Sequence, residues 1–208
     1  MIRQYTKRLN RALKALFAPK GLVGPHMTQK DWDEQFANGK WAYLSDADQR
    51  EHYDCIIDLY KHYGNNGVLL DIGCGVGLLY RYFMDTKTIK EHQYLGIDIS
   101  AVAIAEAIDT CKTENFRVVD YQTEKLDRKF DVIVFNETLY YFNHAGKTLQ
   151  KCTDENLNPG GIIIISMCDH ERHDLIWQLI DKQYKIAATA KSANSNGISW
   201  TIKVILAE

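Results

Sequence analysis

A chain of 208 residues has room for one domain and an appendage. With 46% hydrophobic and 25% charged residues it has an ordinary globular composition, and a net charge of −2 gives no global pull toward nucleic acid. The five cysteines (Cys55, Cys74, Cys111, Cys152, Cys168) are odd in number with no C-x-x-C pair, which argues against a zinc site or disulfide framework and for a reducing, cytoplasmic setting; no apolar run approaches the ~18 residues of a membrane span, and no secretory leader is read.

The charge is unevenly spread. Residues 1–20 hold six basic residues (Arg3, Lys7, Arg8, Arg11, Lys14, Lys20) and no acid, leaving 19 basic against 27 acidic residues in the remainder. At ~100° per residue, Ile2, Tyr5, Leu9, Ala12, Leu13, Leu16 and Phe17 fall on one arc and the bases on the other. This pattern predicts a basic amphipathic helix over 1–20 that lies on an anionic membrane surface, at its inner face for a cytoplasmic protein. A helix packed on the domain, an organelle transit sequence or a tag would share the pattern. Residues 21–30 are expected to be a linker. "PKGLVGPHM" (19–27) holds two of the three prolines and two glycines, and it also looks like a protease-and-cloning junction, which would make the arm an engineered tag.

Residues 31–208 are expected to form one domain, opening with a helical cap over 31–64. Within that cap Tyr53, Ile56, Ile57 and Tyr60 mark one face of a helix in 46–63. Strands and helices then alternate. "GVLLDIG" reads as a strand and "LLYRYFMD" as a helix, followed by strand "YLGIDIS" and helix "AVAIAEAIDTC". Strands "FRVVD" and "FDVIVFNE" precede a helical "AGKTLQKCTDENL", strand "GGIIIISM" and helix "ERHDLIWQLID". Unbroken aliphatic runs such as "GIIII" and "DVIVF" predict a parallel sheet covered on both faces. The last two strands, "YKIAATAKS" and "ISWTIKVILAE", have no helix between them and must form an antiparallel hairpin.

In a doubly wound sheet the ligand sits at the carboxyl ends of the strands, where strand order reverses. "VLLDIGCGVG" places Asp71 at such an end, then Gly73, Cys74, Gly75 and Gly77 in a loop where absent side chains let the backbone approach a ligand. Asp98, ending the next strand, can accept from a ribose diol. A dinucleotide fingerprint would need a glycine at position 78, which is Leu, and no Gly-Lys-Ser/Thr follows for a triphosphate.

At these residues the chain resembles the class I S-adenosylmethionine-dependent methyltransferases. "LLDIGCGVG", "YLGIDIS", "VVDYQ", "FDVIVFNETLYYF" and "LNPGGIIIIS" follow the family's motifs in order across residues 65–206. The resemblance implies a Rossmann-like α/β fold, a seven-stranded sheet in the order 3-2-1-4-5-7-6 with strand 7 antiparallel and helices on both faces. It implies S-adenosyl-L-methionine as cofactor, with Asp71 near its methionine end and Gly73 and Gly75 under the amino acid and ribose. Asp98 would bind the ribose hydroxyls, Ile99 would pack on the adenine, and Asp120, with Tyr121 beside it, would accept from the adenine amino group.

In-line methyl transfer needs alignment and exclusion of water, and a hydroxyl acceptor gains from a general base. "NETLYYFNH" supplies the candidates. Asn136 and Glu137 are expected at the mouth, Tyr140, Tyr141 and His144 in the following loop, and His144 is slightly favoured over Glu137 as the base because imidazole titrates near neutral pH. This segment also resembles rhizobial nodulation N-methyltransferases acting on chito-oligosaccharides and related bacterial glycan methyltransferases. That implies a saccharide or lipid-linked acceptor, with a small metabolite or amine as the alternative. Trp32, Trp41 and Tyr43 would stack on a sugar or close over the cofactor. His170 and His173 lie near the end of strand 5 without a third ligand, so no metal is expected, and His170 is a weaker candidate for substrate contact. A non-catalytic cofactor-binding partner would need a broken loop or a lost strand-4 acid, and neither is broken.

Overall fold

The structure, a computed structural model, describes residue 24 and residues 27–206. The basic arm of residues 1–20 lies outside the described residues. The linker ends two residues earlier than expected, because Thr28 caps helix α1 (Gln29–Ala37): its hydroxyl accepts from the Asp31 N–H, and its own N–H donates to the Asp31 carboxylate. That reciprocal capping starts a helix without regard to the composition upstream. After short 3-10 turns, helix α2 (Arg50–Tyr63) buries His52, Tyr53, Ile56, Ile57 and Tyr60 on one face.

The seven strands are β1 (Leu69–Ile72), β2 (Tyr94–Asp98), β3 (Phe116–Val118), β4 (Phe130–Asn136), β5 (Leu157–Cys168), β6 (Lys185–Ala193) and β7 (Ser199–Leu206). Their spatial order is 3-2-1-4-5-7-6; β7 runs antiparallel to both β5 and β6, and the other pairs are parallel. Helices α3 (Leu78–Asp85), α4 (Ala101–Cys111), α5 (Ala145–Lys151) and α6 (Asp174–Gln183) make the connections. The predicted helix over "AGKTLQKCTDENL" is α only to Lys151 and continues as a π-turn from Cys152 to Asn156. There Asn156 is fully buried, donates to the carbonyls of Leu126 and Arg128, and accepts from the Tyr121 hydroxyl.

The aliphatic runs are explained by two cores. Successive residues of one strand alternate between them: Val132 and Val134 face one, Ile133 and Phe135 the other, and Ile162 to Ile165 alternate in the same way. Burying each such side chain contributes on the order of 1.5–3 kcal/mol, so a strand with two apolar faces has no solvent side to place polar residues on. The carboxyl ends of β1, β2 and β4 meet where the order reverses, with Asp71 opposite Gly96 on one side and Val134 on the other.

Candidate active site

A cavity of about 350 Å³ opens at these carboxyl ends. Its floor is the loop after β1. Gly73, Gly75 and Gly77 all have positive φ (78°, 53° and 77°), but they differ in what surrounds them. A Cβ on Gly73 would lie 2.4 Å from Thr138 Cγ2, and one on Gly77 would lie 2.8 Å from the Phe116 ring; one on Gly75 would meet only the Phe36 ring, at 3.7 Å. Only at Gly75, therefore, does the absent side chain leave open cavity space. Gly73 clears room for Thr138, and Gly77 does not line the cavity at all. Gly73→Ala combines left-handed strain of ~1–2 kcal/mol with overpacking of ~1–3 kcal/mol and should lower stability by their sum. Gly75→Ala carries only the strain, and its methyl projects into the cavity. Thermal melts should separate the two, with Gly75→Ala losing cofactor affinity while it remains folded.

Asp98 fixes the loop. One carboxylate oxygen accepts from Gly75 N (2.9 Å) and the other from Ser100 N (2.8 Å). Burial raises its pKa against these two bonds. Ser100 caps α4, and its hydroxyl donates to Asp33 of α1 at 2.7 Å, so the cap helix is tied to the edge of the site. Asp71 is buried; Oδ2 accepts from the Tyr94 hydroxyl at 2.5 Å, while Oδ1 has no hydrogen-bond partner. Burial pushes its carboxyl up to about 7 despite the bond from Tyr94. Cys74 is buried beside it, with its thiol held well above the ordinary range by burial, so it lines the wall as an inert group.

Ile99, Asp120 and Tyr121 line the far wall. Asp120 is half-buried and turns its chain: Oδ1 accepts from Gln122 N and Oδ2 from the Thr123 hydroxyl. Tyr121 is anchored away from the cavity by its hydroxyl, which donates to Asn156 Oδ1 at 2.7 Å.

At the end of β4, Asn136 and Glu137 both line the cavity, with the Tyr53 hydroxyl beside Asn136 and the Cys168 thiol and N–H beside Glu137. Glu137 sits at φ 59°, a left-handed conformation uncommon for a residue with a side chain. Its Oε2 accepts from the Tyr140 hydroxyl at 3.0 Å. Tyr140 in turn stacks on His173, with ring centroids 4.2 Å apart. Burial pushes the Glu137 carboxyl up to about 7, opposed by the Tyr140 bond.

Trp41, Tyr43 and Tyr141 line the mouth, with Trp32 edge-on to Tyr141 at 4.8 Å. Two residues expected at the site are elsewhere. His144 is exposed at the start of α5 and does not line the cavity, because the chain turns away through the Leu139–Tyr141 turn before reaching it. His170 is also exposed and off the cavity; its Nδ1 accepts from Arg172 N and starts the next turn. The wall also includes residues not singled out from the sequence as site residues, among them Phe36, Tyr53, Thr138, Cys168, Ile198 and Trp200. Asp33, which docks α1, was also missed, because its partner lies 67 residues away.

A family model described as a methyltransferase domain matches residues 54–190. The chain belongs to that family. Its fold is shared with N-methyltransferase NodS from Bradyrhizobium japonicum in complex with S-adenosyl-L-homocysteine (16% identity, TM-score 0.63, covering 80% of this chain and 90% of that one). It is also shared with the 1,6-didemethyltoxoflavin-N1-methyltransferase of Burkholderia thailandensis (16% identity, TM-score 0.67, 86% of each chain). Among curated relatives, a malonyl-[acyl-carrier protein] O-methyltransferase of Acetivibrio thermocellus is 30% identical over 104 residues, 49% of this chain and 36% of that protein. The chain spans less than half the length of such relatives. The methyltransferase domain takes S-adenosyl-L-methionine as its cofactor, and the residues present fit it: Gly75 leaves the floor open, and Asp71 Oδ1 is a buried acceptor in want of a donor.

Proposed function

We propose that this methyltransferase acts on a hydroxyl or amine of a small-molecule acceptor, with Glu137 as the base. The observation that carries the reading is Glu137 itself: a buried carboxyl on the cavity wall, with one oxygen held by the Tyr140 hydroxyl and the Cys168 thiol and N–H beside the group. The cofactor supplies an electrophilic methyl on a sulfonium, whose departure leaves a neutral thioether. Glu137 Oε1 takes the acceptor's proton, and Asn136 beside it orients the acceptor. Asp71 Oδ1 would hold the ammonium of the methionine end. Each Asp98 oxygen keeps a lone pair beyond its backbone bond and would accept from a ribose hydroxyl; Asp120 would accept from the adenine amino group, with Ile99 against the ring. Aromatic rings at the mouth support the narrower reading of a saccharide acceptor, with the basic arm as its route to a lipid-linked form.

The test of the cofactor site is calorimetry with S-adenosylhomocysteine. The wild type should bind, and Asp98→Ala should bind more weakly by ~1.5–3 kcal/mol, the range for a hydrogen bond to a charged group. Unchanged affinity in a folded Asp98→Ala protein would remove Asp98 from the ribose.

A further inference from the structure

The cavity has a one-signed charge pattern. Four carboxyl groups line it, those of Asp71, Asp98, Asp120 and Glu137, and among the described residues no lysine, arginine or histidine does. The nearby cations are engaged elsewhere. Lys40 lies over the Trp41 ring at 5.3 Å, donates to Gln35 Oε1, and is exposed off the cavity. His173, behind Tyr140, is held below its ordinary pKa by burial and bonds to the Cys168 carbonyl. The first three acids lie along the loop and wall that take the cofactor, so Glu137 is the charge left for the acceptor.

The rest of the acceptor end is apolar. Trp41, Tyr43, Tyr53, Tyr141, Ile198 and Trp200 form its wall. Tyr43 and Ile198 remain 47% and 46% exposed, an apolar rim at the entrance. Burial and the Glu137 charge both raise the Tyr43 phenol, which keeps it a neutral donor.

From this geometry we infer that the part of the acceptor entering the cavity is neutral or cationic with a flat apolar face, such as an aromatic ring or the C–H face of a sugar, and that the site rejects acceptors that would place a carboxylate or phosphate inside it. An anion placed here would lose its hydration, find no counter-cation among the described residues, and face the Glu137 carboxylate across a low-dielectric gap, where like charges repel far more strongly than in water. A carboxylate nucleophile would also have no proton to give, leaving Glu137 without a role. For a neutral X–H acceptor the balance closes: the X–H electron pair forms the bond to the methyl carbon, the proton passes to Glu137 Oε1, and the carbon–sulfur pair leaves with the thioether.

The inference rests on the proposed methyltransfer site, and the experiment separates the two. The full chain is saturated with S-adenosylhomocysteine and titrated calorimetrically at about pH 8 with three probes that share a phenol ring: 4-hydroxybenzyl alcohol (neutral), tyramine (cationic) and 4-hydroxybenzoate (anionic). The neutral and cationic probes should bind at least ~10-fold more tightly than the anion. In Glu137→Gln, and independently in the wild type at about pH 6 where Glu137 becomes protonated, the discrimination against the anion should shrink, most for tyramine relative to benzoate. Benzoate binding as tightly as the alcohol overturns the inference, as does failure of all three probes to bind the S-adenosylhomocysteine-loaded protein. Failure of S-adenosylhomocysteine itself to bind removes the underlying site reading as well.

Discussion

Glu137→Gln should lower turnover at saturating cofactor by ~100-fold or more, with little change in affinity for S-adenosylhomocysteine. The amide keeps the shape and can still bond to Tyr140, but it cannot take a proton. His144→Ala should leave turnover close to normal, since His144 is exposed outside the cavity. The pH profile gives a second readout. A base whose pKa is about 7 in the folded protein works only when ionised, so wild-type turnover should rise as pH passes through 7 and level off above it. Tyr140→Phe removes the hydrogen bond that favours the carboxylate, so the rising limb should move to higher pH. Near-normal turnover in Glu137→Gln would eliminate the base and favour an amine that loses its proton to solvent.

What the chain showed in advance and what it hid have different physical origins. The doubly covered parallel sheet and the antiparallel hairpin rest on patterns that repeat locally, whereas the strand order was implied by the family resemblance. Two-sided burial forces aliphatic runs, a hairpin cannot fit a crossover, and a loop of left-handed residues needs glycine. Residue roles inside the loop were less legible, because Gly73, Gly75 and Gly77 look alike along the chain and differ only in what packs against them: Thr138, open space and Phe116. Choosing between His144 and Glu137 had the same difficulty. Free imidazole suits neutral pH, so His144 looked better placed, whereas burial brings the Glu137 carboxyl into that range and a turn leaves His144 outside. Long-range pairs such as Asp33 with Ser100 leave no mark in local spacing.

Stability of the cofactor-free protein should fall as pH rises from about 4.5 to about 7 and level off above that, and Asp71→Asn should abolish much of that fall. Asp71 has a carboxyl raised from 3.8 to about 7, and Glu137 one raised from 4.5 to about 7. Between the unfolded and folded values the native state binds more protons, so each contributes stability that is present at acid pH and lost as pH rises through about 7. For Asp71 a shift of this size corresponds to roughly 4 kcal/mol. His52 works in the other direction. It is buried between Tyr53 and Trp200, and burial lowers its pKa from 6.5 to about 4, opposed by the Gln49 backbone. Here the unfolded state binds more protons between pH 4 and 6.5, so its contribution grows with pH across that window and is complete above it. His52 offsets one of the two carboxyls up to about pH 6.5, so the net fall is steepest between about pH 6.5 and 7 and ends there. Asp71→Asn keeps an acceptor for the Tyr94 hydroxyl while removing the buried charge, and should raise the melting temperature at pH 8 by ~4–10 °C. His52→Phe keeps the aromatic stack and should stabilise the protein at pH 5 by ~2 kcal/mol, with a much smaller gain at pH 8. Melting curves of the three proteins across this range decide the matter. A flat wild-type profile between about pH 4.5 and 7, together with a destabilised Asp71→Asn, would mean that Asp71 is fully ionised and already paired in the free protein, and that the cofactor's ammonium would have to displace that partner.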